Sequence, residues 1–383
     1  MADGHARVTG RPQAILVHVD VSTQALGQGI HNASVGRVLI FIFAEPHDQK
    51  AIVRQYCRYT GEIRTGLNVK QTIGRALQFA NSMPKGPVYI ASSREVLAEE
   101  IEQYSLHQEQ RVPIGPAALL SNAVRDISTA LVEAERPLII TGYSGRDQRN
   151  PELLVALANL ISGIRVHDTG GSDVCFPFSH IASEGSRFST HECTKDADMI
   201  LLLDCDVPWI PSRNPPPKDA KICHIDTDPL NQQIPVSFFP AHGRWKVDSY
   251  TAVAQLVDYI KSDASITTAL KNPKYEARSV VRVVVQQARV EKIASQPRWK
   301  APQNSTQLVY LQGLNTNASD EEINTSFHPT PNYAALAEAA AGSNVGWENT
   351  LDKSGTWIKG LRVGTVGEFR QAVQLANLRV AEE

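Results

Sequence analysis

Short apolar runs alternate with amphipathic segments over the first part of this chain. Residues 14–21, 38–44 and 87–91 are apolar runs of strand length. Between them, residues 68–82 carry apolar side chains at helical spacing and end just before Pro84, which predicts a helix. This alternation indicates βαβ units and therefore a parallel sheet.

The same alternation resumes beyond Pro113. We expect a long helix to begin near this proline, because apolar residues recur there on one helical face. That face consists of Ala117, Leu120, Val124, Ile127 and Leu131. Apolar runs at 137–141, 199–204 and 221–226 predict three buried strands. Asn150 is predicted to cap a helix with Pro151 at its first position, and residues 249–260 predict a final helix.

The remaining third of the chain has a different pattern. Residues 263–330 carry turn residues and little periodicity, apart from one predicted helix at 275–294. A short helix is predicted at 333–341, and the capping box Thr365-Val-Gly-Glu368 predicts a last one. The patterns divide the chain at 1–105, 106–262, 263–330 and 331–383, and its fold class is α/β.

Composition and charge narrow the class of protein. A chain of 383 residues that is 42% hydrophobic is long enough for two or three packed domains. Its formal net charge of −2 offers no broad attraction for nucleic acid or anionic lipid. The longest apolar runs are too short to cross a bilayer, and the first residues lack the apolar core of a signal peptide. We expect a cytoplasmic protein that binds neither nucleic acid nor membrane.

A glycine-containing turn follows the predicted strand at 137–141. The turn, Gly142-Tyr-Ser-Gly145, suits the presentation of backbone N–H groups to a phosphate. Glycines at such a turn also serve backbone geometry and close packing, so both interpretations stay open. Gly142, Ser144 and Gly145 are candidate cofactor contacts. The third glycine of GxGxxG is missing, which disfavours an NAD-linked dehydrogenase.

Four aspartates lie at or just after the ends of two predicted strands. They are Asp204, Asp206, Asp226 and Asp228. Carboxylates in such places accept hydrogen bonds from ribose or adenine groups, and they also cap turns. The two interpretations are equally weighted for Asp226 and Asp228, which are candidate cofactor contacts, whereas turn capping is favoured for Asp204 and Asp206.

Metal binding is not expected from the sequence. The histidines and cysteines of the middle segment are His167, Cys175, His180, His191 and Cys193. They lack the tight paired spacing that is usual for structural zinc, and the five cysteines of the chain have no CxxC spacing. We therefore predict no metal site and no disulfide framework.

Three separated regions resemble one enzyme family. Residues 1–12 and 17–27 are similar to the pyrimidine-binding domain of thiamine-diphosphate enzymes of the acetolactate synthase type. Residues 137–145, 196–204 and His224-Ile-Asp-Thr-Asp-Pro229 resemble the family's central domain, and residues 327–341 resemble its diphosphate-binding domain. The resemblance implies a partial first domain at 1–105, a central nucleotide-binding-like domain at 106–262, a linker at 263–330 and a remnant of the third domain at 331–383.

The resemblance also implies an activity and its cofactors. Members use thiamine diphosphate and Mg²⁺ to make or break carbon–carbon bonds of 2-oxo acids, and some bind FAD in the central domain. Their active sites form between two subunits, so a homo-oligomer is expected. By resemblance, Thr23 and Gln24 lie on the turn that contacts the neighbouring subunit's cofactor.

Departures from the family pattern bear on catalysis. The family's catalytic glutamate would fall before Met1, and the Gly-Asp-Gly motif that anchors Mg²⁺ is absent from the sequence. Residues 43–47 replace a longer active-site loop. No catalytic or metal-binding residue is therefore assigned, and we expect weak or no cofactor binding and no turnover.

Two origins of these departures fit the sequence: a shortened relative, or a gene model that lacks a start and internal exons, which we favour slightly. The alternative function is a non-catalytic binding or regulatory subunit that keeps the central FAD-like or nucleotide-binding domain and pairs with a complete relative.

Overall fold

The structure is a computed structural model that describes residues 1–18, 21–45, 48–107, 110–170, 173–186, 191–231 and 239–294, together with 368, 371, 374 and 375. The chain divides into two compact units, Met1–Gln287 and Ala288–Glu383. Both sheets lie in the first unit. In the second, the described residues of the tail, among them Glu368, are helical, whereas Thr365 and the helix predicted at 333–341 lie outside the described residues.

The first sheet has four parallel strands in the order β1-β2-β4-β3. The strands are β1 Gln13–Leu16, β2 Ile40–Ala44, β3 Tyr59–Ile63 and β4 Val88–Ser92. The helices of this region are α1 Ala2–Thr9, α2 Val21–Ala25, α3 Gly27–Val35, α4 Lys50–Val53, α5 Val69–Asn81 and α6 Arg94–Leu97. Alternate residues of β4 face opposite layers: Tyr89 packs with Ala6 and Ile30, whereas Ile90 packs with Ala76.

The second sheet has six parallel strands in the order β10-β9-β8-β5-β6-β7. The strands are β5 Pro137–Thr141, β6 Arg165–Asp168, β7 Ser183–Ser186, β8 Met199–Leu203, β9 Lys221–Asp226 and β10 Gly243–Lys246. The helices are α7 Ser121–Glu133, α8 Asn150–Leu160, α9 Ser249–Ser262, α10 Ala264–Ala269 and α11 Pro273–Ala294. The two parallel sheets confirm the predicted α/β fold class, and the domain boundaries stay a prediction.

The direction in which strands are added to the second sheet reverses at one point. From β5 the chain adds β6 and β7 on one side, and then returns to add β8, β9 and β10 on the other side. This is the strand order of a doubly wound dinucleotide-binding fold, in which ligands lie at the carboxyl ends of the strands where the direction reverses. That point lies between β5 and β8.

Two predicted helix starts are wrong. Helix α7 begins at Ser121 and not near Pro113, because Pro113, Gly115 and Pro116 hold the preceding segment outside helical geometry. Leu120 is consequently 73% exposed and does not extend the buried stripe. Asn150 does not cap α8. Arg149 is the capping residue, and no side chain makes the cap hydrogen bond.

Four strands have no counterpart in the sequence prediction: β3, β6, β7 and β10. Three of them, β3, β7 and β10, are edge strands, and polar residues interrupt their sequences. Among the described residues, no helix has both the length and the apolar character that a membrane crossing needs.

Candidate functional site

The turn after β5 is tied to the neighbouring strand and helix. The Tyr143 N–H donates to the Asp204 carbonyl oxygen at 2.9 Å, which links the turn to the end of β8. The Ser144 and Thr141 hydroxyls are 2.5 Å apart, and the Asn150 amide donates to the Ser144 carbonyl oxygen at 3.2 Å. The turn is therefore fixed at the point where the strand order reverses.

Both glycines of this turn are required by close packing. A Cβ added at Gly142 would lie 2.6 Å from Thr169 Oγ1, and one at Gly145 would lie 2.3 Å from the Val174 carbonyl oxygen. These contacts account for the glycines without a ligand. Direct contact of Gly142, Ser144 or Gly145 with a cofactor stays a prediction.

An arginine from the first sheet region lies among the aspartates of the second. Arg37 Nη1 is 2.8 Å from Asp226 Oδ1 and donates to Thr227 Oγ1 at 2.6 Å. The same nitrogen is 3.8 Å from Asp204 Oδ1, and Nη2 is 3.9 Å from Asp206 Oδ1. Arg37 thus joins three of the four aspartates that the sequence analysis singled out.

Arg37 is buried and its backbone is in the left-handed region, with φ of 53°. Burial opposes its charge, but Asp226, Asp204 and Asp206 outweigh that effect and raise its pKa. A non-glycine residue in this conformation costs free energy that surrounding contacts must offset. The ion pairs to the aspartates are contacts of that kind.

The pKa values of the aspartates around Arg37 are shifted in different directions. Burial, with the nearby Asp226 charge, raises the pKa of Asp204 to about 6, and Ser249 Oγ donates to Asp204 Oδ2 at 2.6 Å. Burial also opposes ionisation of Asp226, but the Arg37 charge and hydrogen bond prevail and lower its pKa. The Arg37–Asp226 ion pair, at 2.8 Å, is therefore the centre of the group.

Asp228 lies beside this centre. Its backbone N–H donates to Asp226 Oδ1 at 2.6 Å, so Asp226 caps its own turn as well as binding Arg37. The structure thus shows the turn-capping role of Asp226, while a ribose contact by Asp226 or Asp228 stays a prediction.

A second buried arginine has unmatched hydrogen-bonding groups. Arg146 Nε and Nη2 are shielded from solvent and have no hydrogen-bond partner in the part of the chain that the structure describes. The Arg146 guanidinium carbon lies 4.3 Å from the centre of the Tyr143 ring. Burial and the neighbouring Arg37 charge lower the pKa of Arg146. An anion at this guanidinium would relieve both costs.

The two arginines line a cleft of about 760 Å³. Residues 6–10, 36–39 and 144–149 line it, together with Pro151. Five cationic side chains line it: Arg7, Arg37, Lys85, Arg146 and Arg149. Arg7 pairs with Asp3 at 2.8 Å and Asp173 at 3.3 Å, and Arg149 pairs with Asp147 at 2.6 Å. Arg7, Arg37 and Arg149 each have a carboxylate within 2.8 Å, whereas two nitrogens of Arg146 have no hydrogen-bond partner in the described part of the chain.

Thr23 and Gln24 are not part of this cleft. Thr23 is fully buried in the first region, where its hydroxyl donates to Gln49 Oε1 at 3.0 Å and lies 3.1 Å from the Tyr89 hydroxyl. Gln24, next in sequence, is exposed. The structure therefore separates these two predicted cofactor contacts from the turn and the aspartates.

Sequence reasoning did not identify Arg37 or Arg146. Arg37 is 189 positions from Asp226, and nothing in the local sequence marks it. Arg146 follows Gly145, the last residue of the possible phosphate-binding turn, so the sequence did contain a signal: a cation at the end of that turn.

Comparison with known proteins gives both sequence relatives and solved structures of similar fold. No protein-family model matches the chain. It is 22% identical over 262 residues to a Mycobacterium tuberculosis protein named as acetolactate synthase large subunit IlvB2, covering 60% of this chain and 47% of that protein. It is 25% identical over 253 residues to AruI of Pseudomonas aeruginosa, named as a 2-ketoarginine decarboxylase, covering 60% and 44%. The chain spans about half the length of these curated relatives.

Solved structures share the fold. A thiamine diphosphate-dependent 4-hydroxybenzoylformate decarboxylase from Rhodococcus jostii matches with a TM-score of 0.57 at 19% identity, covering 69% of this chain and 53% of that chain. Benzoylformate decarboxylase from Polynucleobacter necessarius matches with a TM-score of 0.58 at 15% identity, covering 67% and 51%. The sequence relatives and the shared fold together relate this chain to the thiamine-diphosphate-dependent enzyme family, as the resemblance predicts.

Proposed function

We propose that the central domain binds a phosphate-bearing nucleotide cofactor, of which FAD is the leading example, in the cleft beside Arg146. The observation that carries the proposal is the pair of shielded, unmatched nitrogens of Arg146. A guanidinium presents parallel N–H groups that fit the oxygens of a phosphate, and the bond is strengthened by charge on both partners.

The position of the cleft agrees with this function. Ser144, Gly145 and Arg146 line it, and they follow β5 at the reversal of the strand order. Nucleotides bind at this point in doubly wound sheets. Lys85 lines the same cleft and adds positive charge for a diphosphate.

The aspartates contribute less directly than Arg146 to the proposed nucleotide site. Arg37 already binds Asp226, and a ribose hydroxyl would have to displace a charged partner to reach that carboxylate. We therefore assign Asp226 to holding Arg37 at the cleft, and propose Asp228 as the aspartate that contacts a ribose.

The described residues do not fit thiamine diphosphate and Mg²⁺. Thr23 already bonds to Gln49 and Tyr89, so its hydroxyl is engaged within the first domain. Mg²⁺ prefers oxygen ligands, whereas the candidate metal-binding group found among the described residues, His167, His191 and Cys193, offers nitrogen and sulfur.

These observations favour a binding function over turnover by this chain alone. In this proposal, the chain is a relative of 2-oxo acid enzymes. It keeps the central nucleotide site and assembles with itself or with a complete relative. Acetolactate synthase-like transferase or lyase activity would then reside in the partner's cofactor site.

The test compares ligands by their effect on melting temperature. FAD and ADP, added separately to the full chain, are expected to raise the melting temperature, because a ligand that binds the folded state stabilises it. Thiamine diphosphate with Mg²⁺ is expected to leave it unchanged, and pyruvate should not be consumed. Cofactor-dependent pyruvate consumption would overturn the non-catalytic assignment, and the absence of any shift with FAD or ADP would overturn the nucleotide site.

A further inference from the structure

His167 meets a histidine and a cysteine from a later part of the chain, His191 and Cys193, at the second sheet. His167 lies in β6 and is fully buried. Cys193 lies in a short 3-10 turn, Glu192–Thr194, shortly before β8, and His191 is the N-cap residue of this turn. The ligand atoms of the three side chains all lie within 4.8 Å of one another, and the two imidazole ring centres are 5.0 Å apart.

We propose that His167, His191 and Cys193 bind one transition-metal ion of the Zn²⁺ class. Two imidazole nitrogens and one thiolate sulfur suit zinc or a similar borderline-soft metal, and suit Mg²⁺ or Ca²⁺ poorly. On binding, a metal–sulfur bond forms and the Cys193 thiol proton leaves to solvent. A water molecule completes the four ligands, because His191 is only half-buried.

The orientation of His191 favours this assignment. Its Nδ1 accepts a hydrogen bond from the Cys193 backbone N–H at 3.1 Å, so Nε2 is the ring nitrogen that would bind the metal. A hydrogen bond at one ring nitrogen fixes the orientation with which the other meets a metal. The same bond also sets the position of Cys193 relative to His191.

The turn that carries two of the ligands is anchored from behind. Asn214, which is almost fully buried, donates to the His191 carbonyl oxygen at 2.9 Å. The Thr194 hydroxyl donates to the Asn214 carbonyl oxygen at 2.6 Å. Supporting hydrogen bonds of this kind hold metal ligands in place.

Binding requires only a small closure. Metal–nitrogen and metal–sulfur distances near 2.0 and 2.3 Å place tetrahedral ligand atoms roughly 3.3–3.7 Å apart. The present separations, up to 4.8 Å, therefore need to shorten by about an ångström. His167 is fixed in the sheet, so the turn at 191–194 would make this movement and would be clamped to β6 by the metal.

The test uses Co²⁺ as a spectroscopic probe on the full chain after chelator treatment. We expect one equivalent of Co²⁺ to bind with a thiolate-to-metal charge-transfer band and the visible bands of tetrahedral cobalt. Zn²⁺ should displace Co²⁺, abolish these bands and raise the melting temperature of the protein. A wild-type protein that shows no charge-transfer band, or in which Zn²⁺ does not raise the melting temperature, would overturn the proposal.

Matched variants assign the ligands. His191→Asn keeps an acceptor for the Cys193 N–H but removes the imidazole, and Cys193→Ser removes the sulfur; each should weaken Co²⁺ binding by roughly tenfold or more. His180→Asn is the control, because His180 Nδ1 likewise accepts a backbone N–H, from Ala182, and lies outside the cluster. Unchanged spectra and affinity in both ligand variants, or equal losses in the control, would contradict the assignment. Circular dichroism of each variant separates loss of binding from loss of folding.

Discussion

Two sets of buried polar side chains, one in each sheet region, find their partners in different ways. In the first, the Thr23 hydroxyl is satisfied locally by Gln49 and Tyr89. In the second, Asp204 and Asp226 at the strand ends receive their cation, Arg37, from the first region, and Arg146 keeps two unmatched nitrogens. The candidate site therefore belongs to the second sheet region but is completed by an arginine of the first.

The largest effect should come from removing the shared arginine. Arg37→Met keeps most of the aliphatic stem and leaves Asp226 and its neighbours without their cation. We expect the free energy of unfolding to fall by about 3–5 kcal/mol in urea denaturation, because breaking a buried ion pair leaves an uncompensated charge.

The matched control is Arg125→Met, since Arg125 and Asp126 form an exposed pair at 3.1 Å. Its effect should stay within about 1 kcal/mol. Equal losses of stability in the two variants would show that Asp226 and its neighbours do not need Arg37 as their cation.

The next effect concerns the turn of the second region. Gly145→Ala should lower the free energy of unfolding by about 1–3 kcal/mol, because the new methyl group would collide with the Val174 carbonyl. Gly29→Ala on α3 meets nothing within 4 Å and should instead stabilise by about 0.5–1 kcal/mol through helix propensity. A neutral Gly145→Ala would show that packing does not require this glycine.

A buried histidine should make the second region sensitive to acid. Burial lowers the pKa of His224 to about 4, and neither ring nitrogen has a hydrogen-bond partner in the described structure. The folded protein therefore holds His224 neutral, and its contribution to stability is lost as pH falls from about 6.5 toward 4.

His224→Leu should remove about 1–2 kcal/mol of the stability difference between pH 7.5 and pH 5. Thermal unfolding at the two pH values measures this difference, with exposed His5→Leu as the control. An unaltered pH dependence in His224→Leu would mean that His224 does not titrate on unfolding.

The smallest effect is expected in the first region, where the Thr23 hydroxyl finds its hydrogen-bond partners locally. Thr23→Val should lower the free energy of unfolding by about 1–2 kcal/mol, since it breaks two buried hydrogen bonds. Thr268→Val, on the exposed side of α10, should change it by less than about 0.5 kcal/mol. A stabilising Thr23→Val would indicate that the hydroxyl is kept for a ligand and not for the core.

The buried strands were predictable because their sequences are continuous apolar runs. Strands β5, β8 and β9 lie inside the second sheet, where both faces are covered, and the predicted runs match them within a residue. Strands such as β3 and β7 were missed because an edge position tolerates polar residues and glycine, which erase the pattern.

The candidate site was predictable only in part. The sequence placed Gly142 and Asp204 at the ends of two strands, and parallel strands bring their carboxyl ends together, where the structure shows the two residues close to each other. The position of Arg37 depends on how two sheets pack, and the meeting of His167 with His191 depends on the path of the chain around β7. Neither is encoded in local spacing.

Anion binding at Arg146 is tested most directly by the affinity of Arg146 variants for ADP, measured by isothermal titration calorimetry. Wild type should bind ADP at one saturable site. Arg146→Gln should bind roughly tenfold more weakly or worse, because a charged hydrogen bond to phosphate is lost. Arg149→Gln, at the same cleft but already paired with Asp147, should stay within about threefold of wild type. Equal affinity of Arg146→Gln and wild type, or no saturable binding at all, would contradict the assignment of Arg146 as an anion-binding residue.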